Sequence, residues 1–232
     1  IRGVCRKLHD MGYAIGGFNA AVTSRVLSGS GLSSSAAFEV LLVCILDGLY
    51  NGSILDGVTR AKISQWVENN YFGKPSGLMD QSACSIGGLV GIDFKYADPK
   101  IGAYSFDFAA RGFSLVVLAT NSSHDDLTDE YAAIPREMRA VAEALGGKVL
   151  RDVKVEQLLE RLPEVRQKTS DRAVLRALHY YDENERVRAM YTALENGDLD
   201  AFLDNVIRSG ESSWKLLQNL YVGGSTEQSL AL

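Results

Sequence analysis

Gly29, Ser30, Gly31, Leu32, Ser33, Ser34 and Ser35 stand immediately ahead of an almost wholly apolar run, Ala36 to Leu49. A helix beginning there leaves its first backbone N–H groups without intrahelical partners and carries about half a positive charge at that end. Gly29 and Gly31 permit φ > 0 and a close backbone approach. The three consecutive serines supply hydroxyls that can cap the helix, bind a phosphate or contact Mg²⁺. Two readings follow: a cradle for phosphate, or a serine-capped helix behind a glycine turn. The stretch lacks the GK[ST] of a Walker loop, and Ser34 stands where GxGxxG needs its last glycine. A carboxylate, Asp80, follows the turn Gly73-Lys74-Pro75-Ser76-Gly77 and precedes the small residues Ser82 to Ser85. Those neighbours leave room for a substrate, yet the same placement suits a helix N-cap. Glu68, at a helix end, reads on its own as a solvated helix residue.

The elements that must position these groups are written in periodicity. "IRGVCRKLHDMGY" opens the chain as an amphipathic helix, and "GFNAAVTSRV" alternates Phe18, Ala20 and Val22 against Asn19 and Thr23 as a half-buried strand does. Helical patterns occupy 34–49, read as apolar all round and therefore buried, and 58–71. "GGLVGIDF", "AYSFDF" and "FSLVVLAT" read as strands, the first two separated by the turn "YADPKIG". From Leu127 the pattern is helical to Leu145, where Gly146-Gly147 stops it. Pro135 inside that run predicts a kink or two abutting helices. Further helices are expected over 155–162, 171–196 and 199–218. A boundary near residue 110 separates a mixed part from a helix-rich part.

Totals exclude some functions. A chain of 232 residues with 46 % hydrophobic and 23 % charged content can build a sizeable core. A net charge of −5 offers no sequence-wide basic field to hold nucleic acid or an anionic membrane. Cys5, Cys44 and Cys84 are odd in number and far apart, as expected of reduced thiols in a cytoplasmic protein, two of them buried. No uninterrupted apolar run reaches membrane-spanning length, and the start carries no signal-peptide pattern.

"GSGLSSSAA" resembles the phosphate-binding loop of the galactokinase, homoserine, mevalonate and phosphomevalonate (GHMP) kinases, with Val26-Leu27 in place of the usual preceding proline. "GKPSGLMDQ" is similar to the galactokinase signature GxPCGxMDQ, with Ser76 where those enzymes often have Cys. "ATNSSHDDLTDEY" resembles their DTxxxHxLxxxxY, matching His124 and Tyr131 and departing at Ala119 and Ser123. The resemblance implies an α+β fold of two lobes, residues 1–110 mixed and 111–232 helix-rich. It implies ATP phosphates on Gly29, Ser30, Gly31, Leu32, Ser33, Ser34 and Ser35, with Mg²⁺ on Ser35 and Glu68. Asp80 becomes the candidate base for a sugar's anomeric hydroxyl, or its orienting anion. Gly77 and Tyr131 become sugar contacts, although Tyr131 also falls on the apolar stripe of its helix. His124 and His179 read as structural.

The departures at Ser76, Ala119 and Ser123 leave the identity of the sugar open. A non-catalytic sugar and nucleotide sensor is the reading from another class, and the retained Asp80 and Glu68 speak against it. ATP and a sugar are the expected partners, with no nucleic acid and no membrane; the oligomeric state is not legible. The family's GRxxLxGEHTD-type motif and its late glycine-rich motif do not occur in these residues. On that resemblance the chain by itself is expected to be inactive or badly crippled.

Overall fold

The computed structural model describes residues 1–26, 31–73, 76–96, 99–118, 128–221 and 228. It divides into two compact units, Ile1–Val117 and Leu118–Leu232. The first holds four helices, α1 (Arg2–Asp10), α2 (Ser34–Tyr50), α3 (Gly57–Trp66) and α4 (Met79–Ile86). An antiparallel pair follows, β1 (Leu89–Asp93) and β2 (Lys100–Tyr104), with Leu89 opposite Tyr104 and Asp93 opposite Lys100. The secondary-structure elements of the second unit's described residues are all helices. The fold is therefore α+β.

In the first unit Val4 and Leu8, one turn apart on α1, pack with Leu42, Val43 and Leu46 of α2, Leu55, Ile63 of α3, and Val67. Gly3 makes the close approach possible, because a Cβ there would lie 2.7 Å from Cγ1 of Val67. The connection from α2 to α3 turns on Asp47, a buried carboxylate accepting from the backbone N–H of Ile54 and Leu55, each at 3.1 Å. Asp56 then caps α3 by accepting from the Thr59 N–H at 2.7 Å. Both side chains satisfy backbone donors that a helix boundary leaves open. α3 does not stop at Trp66 but widens into a π-helical turn, Val67–Tyr71.

Several expectations are corrected here. α2 is buried on one side only; Phe38, Leu41 and Leu49 are exposed, because α1, α3 and α4 all cover its other face. Residues 17–26 form no strand: alternation needs a neighbouring ladder to become one, and among the described residues none pairs with it. Bonds from the end of α2 hold the approach to that segment instead, with the Asn51 side chain accepting from Ala14 N–H and donating to its C=O, both at 2.9 Å, and the Tyr50 hydroxyl donating to the Gly17 carbonyl. The "AYSFDF" expectation survives only to Tyr104, where β2 ends. Residues 113–118 are likewise irregular, with Leu115 95 % and Leu118 83 % exposed. None of the three free cysteines is fully buried; Cys84 is exposed.

The second unit is built from α5 (Thr128–Ala144), α6 (Val155–Glu160), α7 (Leu162–Lys168), α8 (Asp171–Glu195) and α9 (Leu199–Ser212). α9 ends in a π-helical turn, Ser213–Leu217. Val141 and Ala142 of α5 and Leu145 just beyond it form its core with Leu158, Val165, Ala173, Val174 and Ala177. Pro135 neither splits α5 nor ends it. The bond it cannot donate would go to the carbonyl of Tyr131, a residue exposed to water, which limits the cost. α7 was not expected; Pro163 at its start supplies the preset φ of a first turn. His179 is a packing residue, buried with Nδ1 2.9 Å from Oγ of Ser212, and burial pushes its pKa down. Among the described residues no helix is long and apolar enough to cross a membrane.

Candidate active site

The start of α2 departs from the serine-capped alternative. Gly31 has φ +73°, and Ser33, the N-cap residue, sits in the left-handed region at φ 55°, ψ 50°. Its carbonyl accepts from Ala37 N–H at 3.0 Å, but its hydroxyl does not cap the helix. It reaches forward in sequence instead, donating to Oδ2 of Asp80 at 2.6 Å. Leu32 is exposed, Ser34 is half-buried and Ser35 exposed, so the helix end carrying the dipole's positive pole faces accessible space. Gly29 and Ser30 lie outside the described residues.

Asp80 is the second residue of α4, whose N-cap position is Leu78. It is therefore not the N-cap that its local sequence also allowed. Its carboxylate is exposed. One turn on, burial raises the Cys84 thiol above its ordinary range, and the nearby Asp80 charge adds to that. Gly77 is exposed, and a Cβ there would meet nothing within 4 Å, so no steric demand in this structure explains a glycine at that position.

Glu68 lies in the π-helical turn and is 4 % exposed, which overturns its reading as a solvated helix residue. The Ser76 hydroxyl approaches its Oε2 at 3.4 Å. The same Ser76 is clamped by its backbone: its N–H donates to Oδ1 of Asn69 at 2.7 Å, and its C=O accepts from Nε2 of Gln65 at 3.2 Å. Gln65 and Asn69 are four residues apart at the junction of α3 with the π-helical turn, so one helical strip holds the turn that leads to Gly77 and Asp80. Irregular π turns inside helices recur at functional sites. Sequence reading passed over both amides; their i, i+4 spacing ahead of a Gly-Pro turn was the available signal. Asn69→Ala is expected to cost about 1–2 kcal/mol by leaving the Ser76 N–H without its acceptor. Urea unfolding measures that loss, and faster amide exchange over residues 76–82 locates it.

No group of three or more His, Cys, Asp or Glu side chains able to hold a metal occurs among the described residues. Mg²⁺ between one carboxylate, one hydroxyl and phosphate oxygens requires no such cluster, since it keeps several waters. Glu68 and Ser35 carry oxygens of the hard type that Mg²⁺ takes; the first is buried beside Ser76 and the second is exposed. Tyr131 belongs to the second unit, where it is 61 % exposed in α5; the buried stripe runs through Ala133, Val141 and Ala142 instead. His124, Ala119 and Ser123 lie outside the described residues.

Residues 1–88 match the family model described as GHMP kinases N terminal domain. The galactokinase of Streptomyces coelicolor is 35 % identical over 214 residues, which cover 91 % of this chain and 54 % of that protein. The galactokinase of Pyrococcus furiosus is 30 % identical over 222 residues, covering 96 % and 59 %. The crystal structure of Lactococcus lactis galactokinase complexed with galactose has the same fold, with a TM-score of 0.71 at 22 % identity, covering 93 % of this chain and 55 % of that one. The chain thus matches the GHMP kinase family over residues 1–88. Within that family it is galactokinase-like, and it spans about half the length of the curated relatives it matches.

Proposed function

We propose that this chain supplies the phosphate loop and the catalytic carboxylate of a sugar kinase, which transfers the γ-phosphoryl group of ATP to the anomeric hydroxyl of galactose or a related sugar. The observation that carries this reading is the 2.6 Å hydrogen bond between Ser33 and Asp80, 47 positions apart. It joins the loop suited to the donor's phosphates to the carboxylate suited to the acceptor's hydroxyl. Phosphoryl transfer asks mainly for positioning and charge neutralisation. Residues 29–35 hold the phosphates on backbone N–H groups at the start of α2. Ser35 and Glu68 would hold Mg²⁺, which would neutralise phosphate charge when bound. Asp80 accepts the sugar's anomeric proton or orients that hydroxyl, and Gly77 and Tyr131 contact the sugar. ATP as donor and three free cysteines favour the cytoplasm as the compartment.

The testing measurement is ADP release by the full-length protein with Mg-ATP and galactose as the sole acceptor. Galactose-dependent release is the expected result. Release only with another hexose, an amino sugar or arabinose would move the substrate, in line with the departures at Ser76, Ala119 and Ser123. Tight ATP binding without release on any sugar would favour the non-catalytic sensor.

A further inference from the structure

We propose that the Ser33 hydroxyl is a positioning group for Asp80 and not a ligand of the nucleotide. The inference rests on the sugar-kinase reading and reassigns one member of its loop. A serine hydroxyl carries one proton, and here Oγ donates it to Oδ2 of Asp80 at 2.6 Å. With that bond made, a phosphate oxygen can receive no hydrogen bond from Ser33 Oγ and would meet only its lone pairs. The loop's service to phosphate then falls to backbone N–H groups and to the other two hydroxyls, at a helix start where the N-cap side chain makes no cap bond.

The geometry also shows what the bond does for Asp80. The carboxylate is exposed on α4, and rotation about its last torsion is soft. A charge-assisted bond to one oxygen fixes that rotation. Oδ1 has no hydrogen-bond partner among the described residues, so it is the oxygen left to meet a sugar hydroxyl. Ser33 occupies φ 55°, where glycine would be the unstrained choice. A serine there gives up that freedom and places a hydroxyl on Asp80. The consequence is a mechanical tie: the loop that receives ATP must be in place for the carboxylate that receives the sugar to be aimed.

Ser33→Gly in the full-length protein is the test, because glycine takes φ 55° readily and only the hydroxyl is lost. Losing a hydrogen bond to a charged group is expected to lower kcat about ten- to hundredfold, with KM for ATP changed less than about twofold. In an Asp80→Asn background the same substitution is expected to have almost no further effect, because Ser33 acts through Asp80. Ser33→Thr, which restores a hydroxyl, is expected to recover part of the rate. A raised KM for ATP with kcat retained, or a full effect in the Asp80→Asn background, overturns the proposal. Amide exchange gives a readout independent of turnover: Ser33→Gly is expected to accelerate exchange in α4, and unchanged exchange there overturns the tie. If the wild-type protein releases no ADP with any sugar, the sugar-kinase reading fails, and the exchange measurement still decides whether Ser33 holds Asp80.

Discussion

Asp80→Asn is expected to lower kcat for sugar phosphorylation by about 10²–10⁴-fold, the range a positioned proton acceptor contributes. Asparagine has the same shape, and its amide oxygen can still accept from the Ser33 hydroxyl that now reaches Oδ2 at 2.6 Å. The loop-to-α4 connection is therefore kept, and what disappears is the negative charge and the capacity to take a proton. KM for ATP is expected to stay within about twofold of the wild type, because the side chain lies on the acceptor side of the reaction. Steady-state ADP release at saturating Mg-ATP measures the first quantity, and an ATP titration the second. A variant that turns over at the wild-type rate would show that positioning and charge neutralisation suffice without Asp80. A variant that loses ATP affinity along with rate would place Asp80 at the nucleotide instead.

Much of the architecture could be read from local pattern, and what could not shares one cause. α2, α3, α5 and α8 were legible because helical periodicity and glycine stops are local properties, as at Gly146 and Gly197. The strands were legible only where a partner lies close in sequence: β1 and β2 pair across a short connection, whereas 17–26 and 113–118 have the composition of strands and no described neighbour. Within the site, loop and carboxylate were visible as residue types, but their contact was not, since nothing local says that the side chain of Ser33 turns away from its own helix toward residue 80. Glu68 shows the same limit. A charged residue at a helix end is ordinarily solvated, and only the return of Ser76 onto Gln65 and Asn69 shows the turn packed back on that helix.

Arg176, which the residue pattern of α8 places among ordinary helix positions, is a buried charge of the second unit. It is 2 % exposed, donates from Nη1 to Oε2 of Glu137 at 2.9 Å and from Nε to the Leu217 carbonyl at 3.0 Å. Those bonds tie α8 to α5 and to the π-helical turn after α9. Glu137→Ala removes the only carboxylate within ion-pair distance of Arg176 among the described residues and leaves a buried guanidinium without its counter-charge. The expected loss is about 3–5 kcal/mol, as for other buried pairs broken on one side. That is a large share of the roughly 5–15 kcal/mol available to a typical domain. The exposed partner, Arg172, adds little to this figure, because solvent screens its side of the cluster. Glu137→Gln, which keeps an acceptor and loses the charge, is expected to fall between wild type and Ala. The pH dependence separates charge from shape. Burial alone would raise the Glu137 carboxyl, but hydrogen bonds and charges from Arg172 and Arg176 outweigh it and hold the group below its ordinary range. A depressed carboxyl contributes stability that is fully present above its unfolded value and lost as pH falls through the folded one. Wild type and Glu137→Gln should therefore differ most near neutrality and converge in acid, where the protonated carboxyl and the amide become near equivalents. Urea unfolding of both proteins across that range measures the difference, and a gap that persisted in acid would assign the loss to packing instead of charge.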